Sequence, residues 1–597
     1  MSNIQYIGAR YVAKVYTNSS DNSSAEWEAL HSYEPLTIVI YNNNSYISRK
    51  PVPKNIGTPD VNGEYWALTG YYNGQIATLQ ALIDQLQEYT IKNLLSYYKN
   101  DNNTDIDAMN DALAAVDKII IDYNANLGNN TYTANNKKIS SLAGVIVIVN
   151  DTTFNGSGNE FDLVCRFTGN IGINFVGNNN IIKGKYYKNT KIVATTTNYY
   201  NSSIHVTGDY NRCSVTTYNA WVGIIISGKY NVFDNCYVHD HYTGIIIAER
   251  SENISILNSV IKDIDVYQSS GADGILCQSY THNIIVDNCF IDNVSEHCMY
   301  IQGSESIISN NVISNANADG IKLASYDEQG ENYYNHNSKI IGNQSTNNGG
   351  ADIRIQNVCV GTVIDNNTCG SLRIVNVLGQ NYDPSKKLII SNNTIETALA
   401  GVFDEDVLIS GNHIGRLEVT HQTASGVNCK ILDNIIDGIA TLNALDDSVF
   451  KGNTVQKVQA INGFWDIIDN DITGQDIDLD MYNVYKLNGN KIKFSDDKHI
   501  MCRYAMNRTF EIIGNFIDCN ANTDTSKAPI DFPSASNFEG AIISNNVIEE
   551  IGVNVFLINV YSEHCVMQGN VGKCANSTMF RPAAAYATVD TNLRIIG

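Results

Sequence analysis

A chain of 597 residues with 43% hydrophobic content is long enough for several domains or for one long repetitive domain with a buried core. Its net charge of −23, from 39 Lys and Arg against 62 Asp and Glu, argues against nucleic acid and against an anionic membrane surface as partners. The 13 cysteines form no Cys-x-x-Cys pair, no run approaches the ~18 apolar residues of a spanning helix, and residues 1–11 lack a secretory signal, so free buried thiols in a reducing cytoplasm are expected.

Residues 1–72 read as a small β-rich unit, with turn-forming prolines at 35, 51, 53 and 59. The alternating Thr37-Ile38-Val39-Ile40-Tyr41, an Asn42-Asn43-Asn44 turn and Ser45-Tyr46-Ile47-Ser48 predict a hairpin. The order Trp27, Tyr33, Val39, Tyr41, Tyr46, Tyr65-Trp66 resembles small chitin-binding-type modules and the leading domain of tail proteins from phages of Gram-positive gut bacteria. That resemblance implies an attachment domain in which Trp27 and Trp66 stack on sugar rings. The competing reading, which weighs more, makes both the core of a small sheet with little else to bury.

Residues 73–122 predict a helical linker and a capping helix. Ile76, Leu79, Ile83 and Leu86 form a short seam suited to self-association, with Ile and Leu at alternate seam positions favouring two strands. A resemblance to phage tail fibres implies a homotrimer instead. A second helix is expected over 105–120 with Thr104 as its N-cap. It resembles the capping helix that precedes the β-helix of pectate-lyase-like tail proteins, without their usual Gly-Asp-Gly-x-x-Asp-Asp signature.

From 123 to 575 the chain is periodic. A hexad of the form apolar-x-x-Asn-x-apolar recurs, as in Ile308-Ser-Asn-Asn311-Val-Ile313, Ile390-Ser-Asn-Asn393-Thr-Ile395 and Ile543-Ser-Asn-Asn546-Val-Ile548. Its fourth position falls at 213, 236, 259, 289, 311, 343, 367, 393, 412, 434, 453, 470, 490, 515, 546 and 570, with an earlier copy at Asn179 and steps mostly of 17 to 26 residues. A single coil of that length cannot bury its own apolar face. Stacked coils can, with the Asn side chains laddering at a bend. The fold class is therefore all-β, a parallel β-helix of about 16 coils closed by a cap at 576–597, preceded by the small β-rich domain and the short helices. In the early coils, Cys213, Cys236, Ser259 and Cys289 replace the ladder by a stack of small residues. Over roughly 100–597 the chain resembles the right-handed parallel β-helix proteins, that is pectate lyases, polygalacturonases and phage tailspikes.

Candidate chemistry gathers in 271–356, where four short strands share a pattern: Asp273-Gly-Ile-Leu-Cys, His297-Cys-Met-Tyr300-Ile, Asp319-Gly-Ile-Lys322-Leu and Ala351-Asp352-Ile-Arg354-Ile. Aligning them puts Asp273, His297 and Asp319 in one column and Tyr300, Lys322 and Arg354 in a second. Strand alternation points the second column to solvent and gives the first an inward parity. Three steps are long, 259 to 289, 311 to 343 and 515 to 546, so loops leave the coils at 263–272, 324–338 and 518–540. The middle loop carries Tyr326, Tyr333 and Tyr334, suited to sugar stacking or to a subunit contact.

Two reactions fit. Asp273 and Asp319 two coils, ~9.5 Å, apart suit hydrolysis, with one carboxyl protonating the leaving oxygen, the other activating water, and His297 moving the proton. The motifs Gly271-Ala-Asp273-Gly, Glu296-His297-Cys298 and Arg354-Ile-Gln356 resemble those of polygalacturonases, but the coil of paired aspartates is missing and Gln356 replaces a lysine. Alternatively Lys322 and Arg354 neutralise a uronate while Tyr300 or Lys322 acts as base for β-elimination. A recognition surface without turnover is the third possibility. No metal or cofactor is expected, since no phosphate loop or metal-ligand spacing appears. The resemblance implies a phage tail fibre or tailspike in the virion, made in the host cytoplasm, that binds and depolymerises host surface polysaccharide and joins tail or baseplate proteins through its N-terminal region.

Overall fold

The computed structural model describes residues 14–17, 25–70, 91–191, 201–265, 272–328, 331–333, 335–357, 359–375, 387–403, 406–421, 428–502, 506–520, 528–532 and 538–549, together with 557–560, 565–573, 580–582, 588–589 and 594–595. The chain divides into two compact units, Met1–Tyr97 and Tyr98–Gly597. The seam at 76–86 lies outside the described residues.

In the first unit, strands β1 (Lys14–Val15), β2 (Thr37–Tyr41), β3 (Asn44–Ser48) and β4 (Trp66–Gly70) form one sheet in that order. The expected β2–β3 hairpin is present, but its turn is the two residues Asn42 (φ 47°) and Asn43 (φ 61°) alone, with Asn44 already in β3. Asn tolerates the left-handed conformation that such a turn requires at both positions. Tyr33, Val39, Tyr46, Val52 and Trp66 make the core, and Trp66 is 2% exposed. Trp66 is therefore core and has no face to offer a sugar. Trp27 packs against the same cluster, edge-on to Tyr41 at 5.4 Å.

The second unit opens with helix α1 (Asp105–Ala115), capped as expected by Thr104, whose side chain accepts the Asp107 N–H. The helix buries Ala108, Met109, Ala112 and Leu113. It ends five residues short of the expected boundary, because Lys118–Ile121 is already the first strand of the β-helix.

From there the strands of the coils pair in parallel with their counterparts one coil later. The register Ile256, Val286, Ile308, Ile340, Ile364, Ile390, Ile409, Ile431, Phe450, Ile467 is unbroken, and every one of these side chains is fully buried. At about 1.5–3 kcal/mol per buried large aliphatic side chain, this column is a principal source of stability.

The Asn ladder runs from Asn311 to Asn570. In each step the backbone N–H and Nδ2 of one Asn both donate to the Oδ1 of the next, as from Asn412 to Asn434 and from Asn434 to Asn453, all at 2.9 Å. The residue before each ladder Asn holds a positive φ and is Asn, Asp or Gly, for example Asn310 (55°), Asp433 (56°) and Gly452 (69°). That conformation turns the strand and aims the next side chain inward.

The early coils differ from expectation in two respects. Cys236, Ser259 and Cys289 do hold the ladder position, with Cys236 N–H donating to Ser259 Oγ and Cys289 N–H to Asn311 Oδ1. Cys213 does not, because it pairs with Phe233 inside a strand. Asn179 is a corner residue with φ 58°, preceding a separate ladder, Asn159–Asn180–Asn211–Asn231, on another edge of the coil.

Candidate functional site

The site lies on one sheet of the second unit, built from β5 (Val222–Ser227), β6 (Thr243–Ile247), β7 (Ile275–Cys277), β8 (Met299–Ile301), β9 (Ile321–Ala324), β10 (Ile353–Gln356) and β11 (Thr368–Val375). Ile275, Met299, Ile321 and Ile353 stack inward and are fully buried. The next residues along form the outward column Leu276, Tyr300, Lys322, Arg354 and Arg373 on consecutive coils. Lys322 Nζ sits 4.4 Å over the Tyr300 ring, and the Tyr300 hydroxyl accepts from Gln302 Nε2, itself held by Ser279.

Just before the strands lie Asp273, His297 and Asp319, also stacked: Gly274 N–H donates to His297 O and Cys298 N–H to Asp319 O. Glycine is needed at 274 because a Cβ there would come within 2.5 Å of Cys298 O. All three side chains are buried, as their parity requires, yet two of them reach the outward column. Asp319 Oδ1 lies 2.9 Å from Arg354 Nε and accepts the Ala351 N–H at 2.8 Å. The Arg354 contact is a charge pair, since its N–H is not aligned for a hydrogen bond. His297 Nε2 is 3.4 Å from Lys322 Nζ.

Electrostatics separate the three. Burial, reinforced by the nearby Glu296 carboxylate, pushes the Asp273 carboxyl up to about 8, although the His297 N–H donates to it at 3.3 Å. At neutral pH it keeps its proton. Burial and the adjacent Lys322 hold His297 below the ordinary imidazole value. Its Nδ1 accepts the Asp319 N–H at 3.1 Å, so we assign the ring proton to Nε2. Asp319 is enclosed by Arg354, Ala351 and His297 and does not face solvent. The two aspartates thus do not form an open pair facing a common substrate.

Asp352 occupies the position of Gly274 and Gly320. Its oxygens accept from Asn348 Nδ2 and from the Ser371 N–H, so it holds the turn, and burial raises its pKa. In the middle loop the backbones of Tyr326 and Tyr333 pair in register in a small antiparallel hairpin, and Tyr334 lies outside the described residues.

Two residues extend the site beyond the expected set. The Glu296 side chain is 40% exposed, with Oε1 3.7 Å from His297 Nε2 and Oε2 accepting the Ala272 N–H. Arg373 continues the cationic column by one coil. Its sequence, Leu372-Arg373-Ile374, repeats Ile353-Arg354-Ile355 and was the available signal.

Comparison with known proteins places residues 202–338 in a right handed beta helix region. No curated protein matches. Among solved structures the chain is similar to the Dettilon tailspike protein at 14% identity, over 56% of this chain and 63% of that one, with a TM-score of 0.31. It is also similar to pectate lyase Pel9A (17% identity, 51% of this chain and 72% of that one, TM-score 0.28) and to the PL6 family alginate lyase AlyGC (11% identity, 82% and 99%, TM-score 0.27). The similarity thus spans less than two thirds of the tailspike's length.

Proposed function

We propose that this protein binds an acidic polysaccharide of a host cell surface along the Tyr300–Lys322–Arg354–Arg373 column and cleaves it there, as the spike or fibre of a phage tail. The column itself carries the reading. On a chain of net charge −23, three cations and an aromatic ring project from consecutive coils of one sheet. A ladder of positive groups at the ~4.8 Å strand spacing suits a chain whose own repeat carries carboxylates, and the aromatic ring suits a sugar face. The small N-terminal unit, separate from the β-helix, supports attachment to other tail proteins, and the tail-fibre resemblance supports a homotrimer.

Hydrolysis is the favoured reaction. Asp273 holds a proton at neutral pH for the leaving oxygen, while the exposed Glu296 carboxylate takes a proton from the water that attacks the anomeric carbon. The glycosidic C–O bond breaks, a new C–O bond forms to water, and each carboxyl exchanges one proton. Glu296 takes the part first expected of Asp319, which is enclosed; Asp319 instead positions His297 and Arg354. Elimination is the second reading, favoured by the three stacked cations, which would draw charge from a uronate and acidify the adjacent C–H.

Incubating the full chain with acidic polysaccharides separates these readings. New reducing ends without ultraviolet absorbance indicate hydrolysis; new ends with the absorbance of a conjugated chain-end double bond indicate elimination. Binding without either product makes the protein a receptor-binding adhesin. No binding and no cleavage overturns the proposal.

A further inference from the structure

A second face of the β-helix carries features of a binding site that the column above does not use. At one corner of the early coils the chain takes a left-handed conformation just before the inward ladder residue. Asn fills that position in several coils, Asn179 (φ 58°), Asn253 (56°), Asn283 (55°) and Asn337 (56°), while Gly158 (73°) and Glu305 (57°) fill it in others. In two consecutive coils it is Tyr instead, Tyr210 and Tyr230, both at φ 60°. A bulky side chain in this region is costly, so two tyrosines in succession go against the local backbone preference.

The two rings do not serve the core, being 54% and 46% exposed. Their centroids are 4.8 Å apart at an interplanar angle of 7°. That separation matches the ~4.8 Å spacing of adjacent strands, as expected of parallel rings on consecutive coils.

Two residues further along the chain, Arg212 and Val232 help to line a cavity of about 330 Å³ together with Lys183, Ser214 and Asp234. Arg212 makes no ion pair among the described residues. At the far end of the same strands, Tyr187 and Tyr218 stack at 4.8 Å beneath Lys185, whose Nζ lies 5.2 and 4.9 Å from their ring centres. The two ends lie on different faces of the coil, since Arg212 pairs with Val232 whereas Thr216–Tyr218 pair with Tyr237–His239 beyond the corner at Asn235. His239 covers Tyr218 on its other side, so the candidate binding face is the Tyr210–Tyr230 pair with the cavity beside it.

We infer that this face is a second carbohydrate site, binding an acidic glycan with Arg212 on a carboxylate and the Tyr210–Tyr230 pair on a sugar ring face. The inference rests on the proposed function for the chemical class of its ligand, not for its location or its residues. It is distinct from the Tyr300 column, whose strands form a separate series of coil-to-coil pairings.

The test is affinity electrophoresis of the full chain in gels containing polygalacturonate or alginate, with dextran as the uncharged control. Tyr210→Asn/Tyr230→Asn is the informative variant, because Asn fills the same corner in neighbouring coils and preserves the fold. It is expected to raise the dissociation constant for an acidic glycan roughly tenfold without changing cleavage of short oligosaccharides. Arg212→Gln is expected to weaken binding to the acidic glycans alone. In a Tyr300→Ala/Lys322→Ala/Arg354→Ala background, residual retardation should persist and disappear when the Asn pair is added.

If the Asn pair binds like the parent, or the parent is retarded by neither acidic glycan, the inference is overturned. If the background variant binds like the parent while the Asn pair does not, this face stands and the Tyr300 column falls as the binding site.

Discussion

Asp273 and Arg354 carry the sharpest consequences at the residue scale. A carboxyl whose folded pKa is raised stabilises the fold fully below its unfolded value of 3.8, and that contribution is lost as pH rises through about 8. His297, held low, has the opposite sign: its contribution is present above the ordinary imidazole value and is lost as pH falls. Thermal melts between about pH 5 and 8 should therefore show a decline with rising pH that Asp273→Asn flattens and that His297→Gln steepens. A decline of equal slope in the parent and in Asp273→Asn would show that this carboxyl is not the source. The same ionisation predicts loss of cleavage above about pH 8, as the acid gives up its proton. Arg354 neutralises the enclosed Asp319, so Arg354→Met leaves a buried carboxylate without a cation, at a cost of about 3–5 kcal/mol. Adding Asp319→Asn to that variant should recover most of the loss in a denaturant melt while acidic-glycan affinity stays low. If the double variant is no more stable than Arg354→Met, the ion pair does not matter to the fold.

At the scale of the element, the Asn ladder is held by paired contacts. Asn434 Nδ2 donates to Ile409 O, Leu432 O and Asn453 Oδ1, and its Oδ1 accepts from both the backbone and the side chain of Asn412. Asn434→Ala strands several buried polar groups at once and should destabilise the protein by about 3 kcal/mol or more, read as a fall in denaturant midpoint. A change under about 1 kcal/mol would mean that the coil rearranges to satisfy them. This dependence on one side chain explains what could be read beforehand. From Asn311 onward no other residue offers the same donor and acceptor geometry, so the period stands out in the letters. Upstream the ladder moves to another edge of the coil, with Asn159, Asn180, Asn211 and Asn231, and small residues take the old position. Spacing alone then misplaced Cys213 and Asn179. The outward column was legible for a similar reason: strand alternation fixes Tyr300, Lys322 and Arg354 with no knowledge of neighbours. Parity also gave the burial of Asp319, but not its partners nor the exposure of Glu296, because these depend on contacts with adjacent coils, 22 to 32 residues away for Asp319 and 24 for Glu296.

The second unit is a nearest-neighbour structure, each coil stabilised by the coils on either side, so its ends are its weak points. An uncapped first coil would expose the apolar side chains of Ile119 and Leu127 and the open edge of a parallel strand, which pairs with other chains. Helix α1 covers that end, burying Met109 and Leu113, while Asp105 accepts the Asn126 N–H and the Tyr123 hydroxyl. The Lys99–Asp105 ion pair and the bond from Asn102 to Asp111 tie the preceding turn to the same helix. The boundary between the compact units, at Tyr97 and Tyr98, falls just before these contacts. A chain starting at residue 98 should therefore keep the β-helix melting temperature of the full protein to within a few degrees and keep its glycan affinity. One starting at residue 117, without α1, should melt well below it and aggregate. Circular dichroism melts with light scattering check both. If the two truncations melt alike, α1 is not the cap, and the end of the helix must be protected by the first coil's own side chains.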